Sequence, residues 1–95
     1  MKPIQLTERF INQLRSQYEY IRSQNPAAAD RVRTRVLAGV KRLGEFPESG
    51  SAWKRAGTRE LVLPGLPFII IYQVKDDMVG VLSLLHTSRE APDVH

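Results

Sequence analysis

The chain has 95 residues, of which 42% are hydrophobic and 25% charged, a composition that fits one small domain with its own core and excludes intrinsic disorder. It has no cysteine and two histidines, His86 and His95, which excludes disulfides, thiolate chemistry and a cysteine- or histidine-built metal centre; no metal and no cofactor is expected. The net charge of +4 is uneven: residues 1–59 hold 12 Lys and Arg against 5 Asp and Glu, residues 60–95 hold 2 against 5. Such a basic N-terminal part points to an anionic partner or to a solvated helix face.

The longest apolar run, Phe68 to Tyr72, is far short of the roughly 20 residues of a membrane helix. Met1-Lys2-Pro3-Ile4 has no apolar h-region, so no signal peptide is expected, and the expected location is the cytoplasm.

In chain order, residues 2–6 read as a short first strand, with Ile4 and Leu6 alternating with polar neighbours. Thr7 is placed as a helix N-cap, and Leu6 and Ile11 stand where a hydrophobic staple would form around it. Phe10, Leu14, Tyr18 and Ile21 make one helical stripe, with Arg9, Asn12, Arg15 and Glu19 opposite. Asn25-Pro26 restarts the chain as N-cap and first helical residue. Val32, Val36, Val40 and Leu43 then form a buried stripe, Arg31, Arg35 and Arg42 lie largely on the other side with Arg33 nearby, and Gly44 is expected to end the helix in a left-handed conformation. The short link makes an antiparallel helical hairpin over 7–43.

Residues 44–57 read as a loop carrying the single tryptophan, Trp53, expected to seal the core edge, beside Lys54 and Arg55. From residue 58 the period becomes 2. The strand Thr58–Leu63, a type II turn at Pro64-Gly65, the strand Pro67–Val74 and the strand Met78–His86 predict an antiparallel meander over 58–86. Phe68 to Tyr72 is apolar on both faces, which suits a central strand. In the last strand, alternation puts Val79, Val81 and Leu85 on one face and Met78, Leu82 and Leu84 on the other. Residues 87–95 form a tail. The whole, 1–95, reads as a single α+β domain, β-α-α-β-β-β, with the helical hairpin on one face of a small, mainly antiparallel sheet. Two helices cover one sheet face, so an apolar, cation-rimmed surface is expected to remain for a partner.

The block Gly57-Thr58-Arg59-Glu60-Leu61-Val62-Leu63-Pro64-Gly65-Leu66-Pro67-Phe68-Ile69-Ile70-Ile71-Tyr72 and the ending Val81-Leu82-Ser83-Leu84-Leu85-His86-Thr87-Ser88-Arg89-Glu90 resemble the ParE/RelE toxin superfamily of bacterial type II toxin–antitoxin systems. Upstream, Asn25-Pro26-Ala27-Ala28-Ala29 and Leu43-Gly44-Glu45-Phe46-Pro47-Glu48-Ser49-Gly50 resemble it too, so the likeness covers nearly the whole chain. It implies a growth-inhibiting toxin held silent by a cognate antitoxin, in a toxin–antitoxin hetero-oligomer.

Two activities occur in that superfamily: ParE-like members inhibit DNA gyrase, and RelE-like members cut messenger RNA on the ribosome. Metal-free RNA cleavage needs a base, cations around the phosphorane and an acid. By resemblance, Lys54, Arg59, His86 and Arg89 are the residues that would serve, and Lys54, Arg55, Arg59 and Arg89 the ones that would hold phosphate or the target. His86 is the one internal residue of a type whose ordinary pKa suits proton transfer near neutrality, but as the end of an apolar strand it fits a structural role better. The tail, Glu90-Ala91-Pro92-Asp93-Val94-His95, has two acids and lacks the tyrosine that some RelE-like members carry after the last arginine. The turn Pro64-Gly65-Leu66-Pro67-Phe68 and the ending Leu84-Leu85-His86-Thr87-Ser88-Arg89 are closer to the ParE-like branch. A toxin that acts by binding gyrase is the leading expectation; a ribosome-dependent ribonuclease and an inert antitoxin-binding member are the alternatives. The expected antitoxin contacts are Phe68, Ile70, Tyr72, Leu82 and Leu84.

Overall fold

In the computed structural model, secondary structure is described for residues 1–90 and side chains for residues 1–88. The elements are β1 (Ile4–Leu6), α1 (Glu8–Arg22), α2 (Pro26–Glu45), β2 (Ser51–Ala52), β3 (Arg59–Val62), β4 (Phe68–Val74), β5 (Val79–His86) and α3 (Thr87–Glu90). One five-stranded sheet has the order β1-β5-β4-β3-β2. β1 lies parallel to β5, Ile4 opposite Val79, and every other pair is antiparallel. Among the described residues, no helix is long and apolar enough to cross a membrane.

Both helix starts follow from their caps. The Thr7 hydroxyl accepts the Phe10 N–H at 3.1 Å, and the Asn25 side chain accepts the Ala28 N–H at 3.1 Å, with Pro26 opening α2. The turn between β3 and β4 is the expected type II: the Leu66 N–H donates to the Leu63 carbonyl at 3.1 Å and Gly65 has φ +78°.

The core lies between the helices and one sheet face. Phe10 of α1, Val36, Val40 and Leu43 of α2, Phe68, Ile70 and Tyr72 of β4, and Val79 and Val81 of β5 are all buried there. Alternation along β4 sends Phe68, Ile70 and Tyr72 to this side, and Ile69 and Ile71 to the reverse.

Four sequence expectations are corrected. A β-bulge between the Ile71–Ser83 and Tyr72–Val81 pairs shifts the faces of β5, so Leu84 shares the helix-facing side with Val79 and Val81, while Leu85, opposite Ile69, lies on the reverse. Gly44 does not end α2; it sits inside the helix, and the cap is Phe46. Its lack of a side chain serves packing: a Cβ there would stand 2.9 Å from the Lys2 carbonyl oxygen, and the Lys2 N–H donates to the Gly44 carbonyl at 2.9 Å. The 44–57 segment is not all loop, because Ser51 and Ala52 pair with Glu60 and Arg59. The reverse sheet face is not uniformly open: Val62 is 56% exposed there, but Ile71 is 2% exposed.

Near the bulge, the N-cap of α1 and a residue within the helix each bond to the β5 backbone. Where β1 stops, Thr7 Oγ1 donates to the Leu82 carbonyl at 2.7 Å and Gln13 Oε1 accepts the Leu84 N–H at 2.8 Å. Side chains of the N-cap and the helix thus satisfy the β5 backbone beyond its strand partner.

Candidate functional site

Arg59 and Tyr72 are a cross-strand pair on the helix-facing side. The chain leaving α2 crosses above them. The Tyr72 hydroxyl donates to the Pro47 carbonyl at 2.8 Å and accepts the Gly50 N–H at 2.9 Å. Arg59 Nη2 donates to the Gly50 carbonyl at 2.6 Å and to the Glu48 carbonyl at 3.2 Å. Arg59 Nη1 also lies 3.3 Å from Glu48 Oε1, but that carboxylate is 77% exposed, so this ion pair contributes little. Arg59 Nε is buried without a hydrogen-bond partner. The guanidinium expected to meet phosphate is therefore directed mainly at the backbone of the 47–50 segment, as a strut.

Lys54 and Arg55 lie just upstream at the same sheet end. The Lys54 ammonium stands 5.3 Å from the Trp53 ring centroid, a cation–π contact. The Arg55 carbonyl accepts both the Thr58 hydroxyl at 2.6 Å and the Thr58 N–H at 3.1 Å, closing a tight turn through Gly57 at φ +81°. Trp53 is half-buried, between the expected core seal and a surface residue.

His86 is elsewhere. It pairs with Phe68, whereas Arg59 pairs with Tyr72. Four strand residues separate these rows, about 13 Å at 3.3 Å each, and two strand spacings add about 10 Å across. His86 packs edge-on against Phe68 at 5.2 Å, and its Nδ1 accepts the Ser88 N–H at 3.2 Å. That hydrogen bond requires a lone pair on Nδ1 and so leaves the proton of the neutral ring on Nε2. Arg89 follows in α3, at the His86 end; its side chain lies outside the described residues. The sequence candidates thus fall into two groups, Lys54, Arg55 and Arg59 at one end of the sheet and His86 at the other.

Of the expected antitoxin contacts, Phe68, Ile70, Tyr72 and Leu84 are corrected. They are 1%, 0%, 0% and 4% exposed beneath the helices and present no surface. Leu82, at the bulge, is half-buried. These residues fill the one core that so short a chain can build.

The open surface lies instead between α2 and β3. A groove of about 700 Å³ is floored by Leu61 and Leu63 and rimmed by Arg35, Lys41 and Arg42, with Glu45 as its one carboxylate. A second groove, of about 570 Å³, shares Arg35 and continues toward Arg31 and Leu66. Arg35 Nη2 donates to the Pro64 carbonyl where the two meet. The arginine stripe of α2 was visible as a repeat; its apolar floor was not, because no local signal says which strand lies beside the helix. At Gly39 the helix comes close to β3: a Cβ there would stand 2.9 Å from Leu63 Cδ2, the movable end of a side chain.

On the other flank, a smaller apolar pocket of about 300 Å³ involves Ile11, Leu14 and Tyr18, with Arg15 and Arg33 at its edge. The Tyr18 hydroxyl donates to Asp30 at 2.8 Å, and Arg33 stands 5.1 Å from the Tyr18 ring centroid. The hydrogen bond to the Asp30 carboxylate raises the Tyr18 pKa above its usual 10, and burial and the Asp30 charge add to the rise against a smaller opposing pull from Arg33 and Arg22. Among the described residues no cluster of three His, Cys, Asp or Glu residues could hold a metal ion.

This architecture has known relatives. The solved structure titled "Chromosomal ParDE TA system from P. aeruginosa" matches with a TM-score of 0.81 over 90% of this chain and 96% of that one, at 21% identity, which establishes the shared fold. "Putative toxin Y4kP" of Sinorhizobium fredii is 38% identical over 98% of this chain and 96% of its own length. "Toxin RelE2" of Caulobacter vibrioides is 33% identical over 94% of this chain and 99% of its own length. Residues 4–91 match the family described as "ParE toxin of type II toxin-antitoxin system, parDE". With the fold, the near full-length relatives and the family match in agreement, the chain belongs to the ParE toxin family, within the ParE/RelE superfamily of type II toxin–antitoxin systems.

Proposed function

We propose that this toxin inhibits growth in the cytoplasm by binding its target, DNA gyrase, and that a cognate antitoxin neutralises it by covering its surface. The observation that carries a binding rather than a cleaving mode is the split of the four residues of the cleaving set, Lys54 and Arg59 at one end of the sheet and His86 and Arg89 at the other. Metal-free cleavage needs a proton-transfer group and a phosphorane-stabilising cation on one phosphate. Here Arg59 braces a loop and His86 accepts from a backbone N–H at the opposite end. Expression from an inducible promoter without antitoxin tests the proposal. Loss of supercoiling by purified gyrase, with DNA damage in the expressing cells, is the expected result. Intact supercoiling with arrested translation would overturn it.

The second reading, a ribosome-dependent messenger RNA endoribonuclease, is favoured by the kinship with the Caulobacter protein named RelE2. It requires cut messages and undamaged DNA in the same expression experiment.

A further inference from the structure

The hydrophobic staple expected around Thr7 does not seal its end of α1. Leu6 and Ile11, the two staple residues, both line the open pocket of about 300 Å³ on the α1 flank, together with Leu14 and Tyr18. Ile11 remains 40% exposed. The pocket shares no lining residue with either α2 groove. Its size is that of the smallest ligand sites, with room for one compact group rather than for a peptide.

The wall of this pocket is apolar, and the charge at its edge has one sign. Arg15 and Arg33 are its charged lining residues, and both are exposed. The one ion pair among the described residues joins Arg59 to Glu48, so neither of these guanidinium groups is neutralised there. Arg15 reaches Asn12, a neutral acceptor, at 3.5 Å, and Arg33 stands over the Tyr18 ring. The Asp30 carboxylate, three residues before Arg33, accepts the Tyr18 hydroxyl instead. That bond commits the phenolic proton and leaves the Tyr18 ring as a wall. An apolar cleft edged by unneutralised guanidinium groups is complementary to a small molecule with an apolar body and one carboxylate. The body displaces water from Leu6, Ile11 and Leu14, and the planar guanidinium fork matches both carboxylate oxygens. Free phosphate or a nucleic-acid backbone would use the cations and leave the apolar wall wet.

We propose that the α1 pocket binds a small monocarboxylate with an aromatic or branched aliphatic body, its apolar part against Leu6, Ile11 and Leu14 and its carboxylate on Arg33 and Arg15. Such a ligand bridges α1 to Arg33 of α2, so its binding stabilises the helical hairpin and, by linkage, the folded chain. The proposal goes beyond the toxin reading above and does not depend on the cellular target.

The test uses the full chain, with phenylacetate, its neutral amide and acetate as probes. Amide chemical shifts are followed through each titration, and melting curves are recorded with and without probe. Phenylacetate should give saturable shifts at Leu6, Ile11, Leu14 and Arg33 and raise the melting temperature. Phenylacetamide should bind about tenfold or more weakly, the scale of one charge-assisted hydrogen bond, and acetate should not saturate. Arg33→Gln removes the charge at similar length and should weaken phenylacetate binding by about tenfold. Ile11→Glu sets a like charge in the cleft and should abolish saturation. Arg42→Gln, in the groove beside β3, should leave affinity within about twofold, as a remote surface charge does. Melting of the unliganded variants shows that they are folded; if Ile11→Glu is not, Arg33→Gln and the amide decide. No saturable shift, shifts centred on Leu61 and Leu63 in the α2 groove, equal binding of phenylacetate and its amide, or affinity unmoved by Arg33→Gln would each overturn the proposal.

Discussion

The Tyr72 hydroxyl accepts the Gly50 N–H at 2.9 Å, across 22 residues of chain, and at that contact no larger residue than glycine fits. A Cβ on residue 50 would stand 2.3 Å from the Glu60 carbonyl oxygen and 2.6 Å from the Tyr72 hydroxyl. Gly50→Ala is therefore expected to cost about 2–3 kcal/mol, within the range of severe packing and strain mutations. At about 4–8 °C per kcal/mol for a domain of this size, thermal melting should show it clearly.

Arg59 and Glu48 separate two contributions that look alike on a contact map. The arginine donates to the Gly50 and Glu48 carbonyls, while the carboxylate it meets is exposed. Arg59→Ala should lose about 1–3 kcal/mol and speed amide exchange at Gly50, because backbone acceptors lose their donor. Glu48→Gln should cost no more than about 0.5 kcal/mol. Equal effects in chemical denaturation would contradict the strut role.

Two glycines inside α2 make opposite predictions. Gly44→Ala would drive a Cβ to 2.9 Å from the Lys2 carbonyl oxygen, a backbone atom that cannot give way alone. The gain in helix propensity is at most about 1 kcal/mol, and a net loss of about 1–2 kcal/mol is expected. At Gly39 the near atom is the far end of the Leu63 side chain, which can rotate, so Gly39→Ala should be close to neutral. Parallel melts of the two variants decide.

Tyr18 reports on the helical hairpin. Its raised pKa means that the folded protein holds the phenolic proton more tightly than the unfolded chain. The stabilisation is complete below the ordinary tyrosine value of 10 and is lost as the pH rises through the folded value. Asp30→Asn removes the charged acceptor and should bring the Tyr18 transition down toward 10 in an ultraviolet titration. An unmoved transition would show that Asp30 is not the cause.

Arg89→Ala is expected to abolish growth inhibition with little change in melting temperature. If growth inhibition survives, that arginine is structural or idle.

Much of the fold was legible because its signals are local. Thr7, Asn25 and Pro64-Gly65 announce two helix starts and a turn through groups within three residues of themselves. What local pattern did not carry was long-range. The bulge that sends Leu84 inward depends on the register of two strands. The place of Gly44 depends on Lys2, some forty residues away in sequence. β2 is only two residues long and has no period of its own. The candidate site divides in the same way. The cations Arg35 and Arg42 could be picked out by helical spacing, whereas the leucine floor exists only once β3 lies beside α2.

β1 is made well before its partner β5, with Ile4 opposite Val79. Residues 4–6 must wait, unpaired, until residues 79–81 emerge, and contacts so distant in sequence are slow to close. A product truncated before β5 would lack the strand on which both β1 and β4 depend. The sheet thus closes late, in a single step, when that strand arrives.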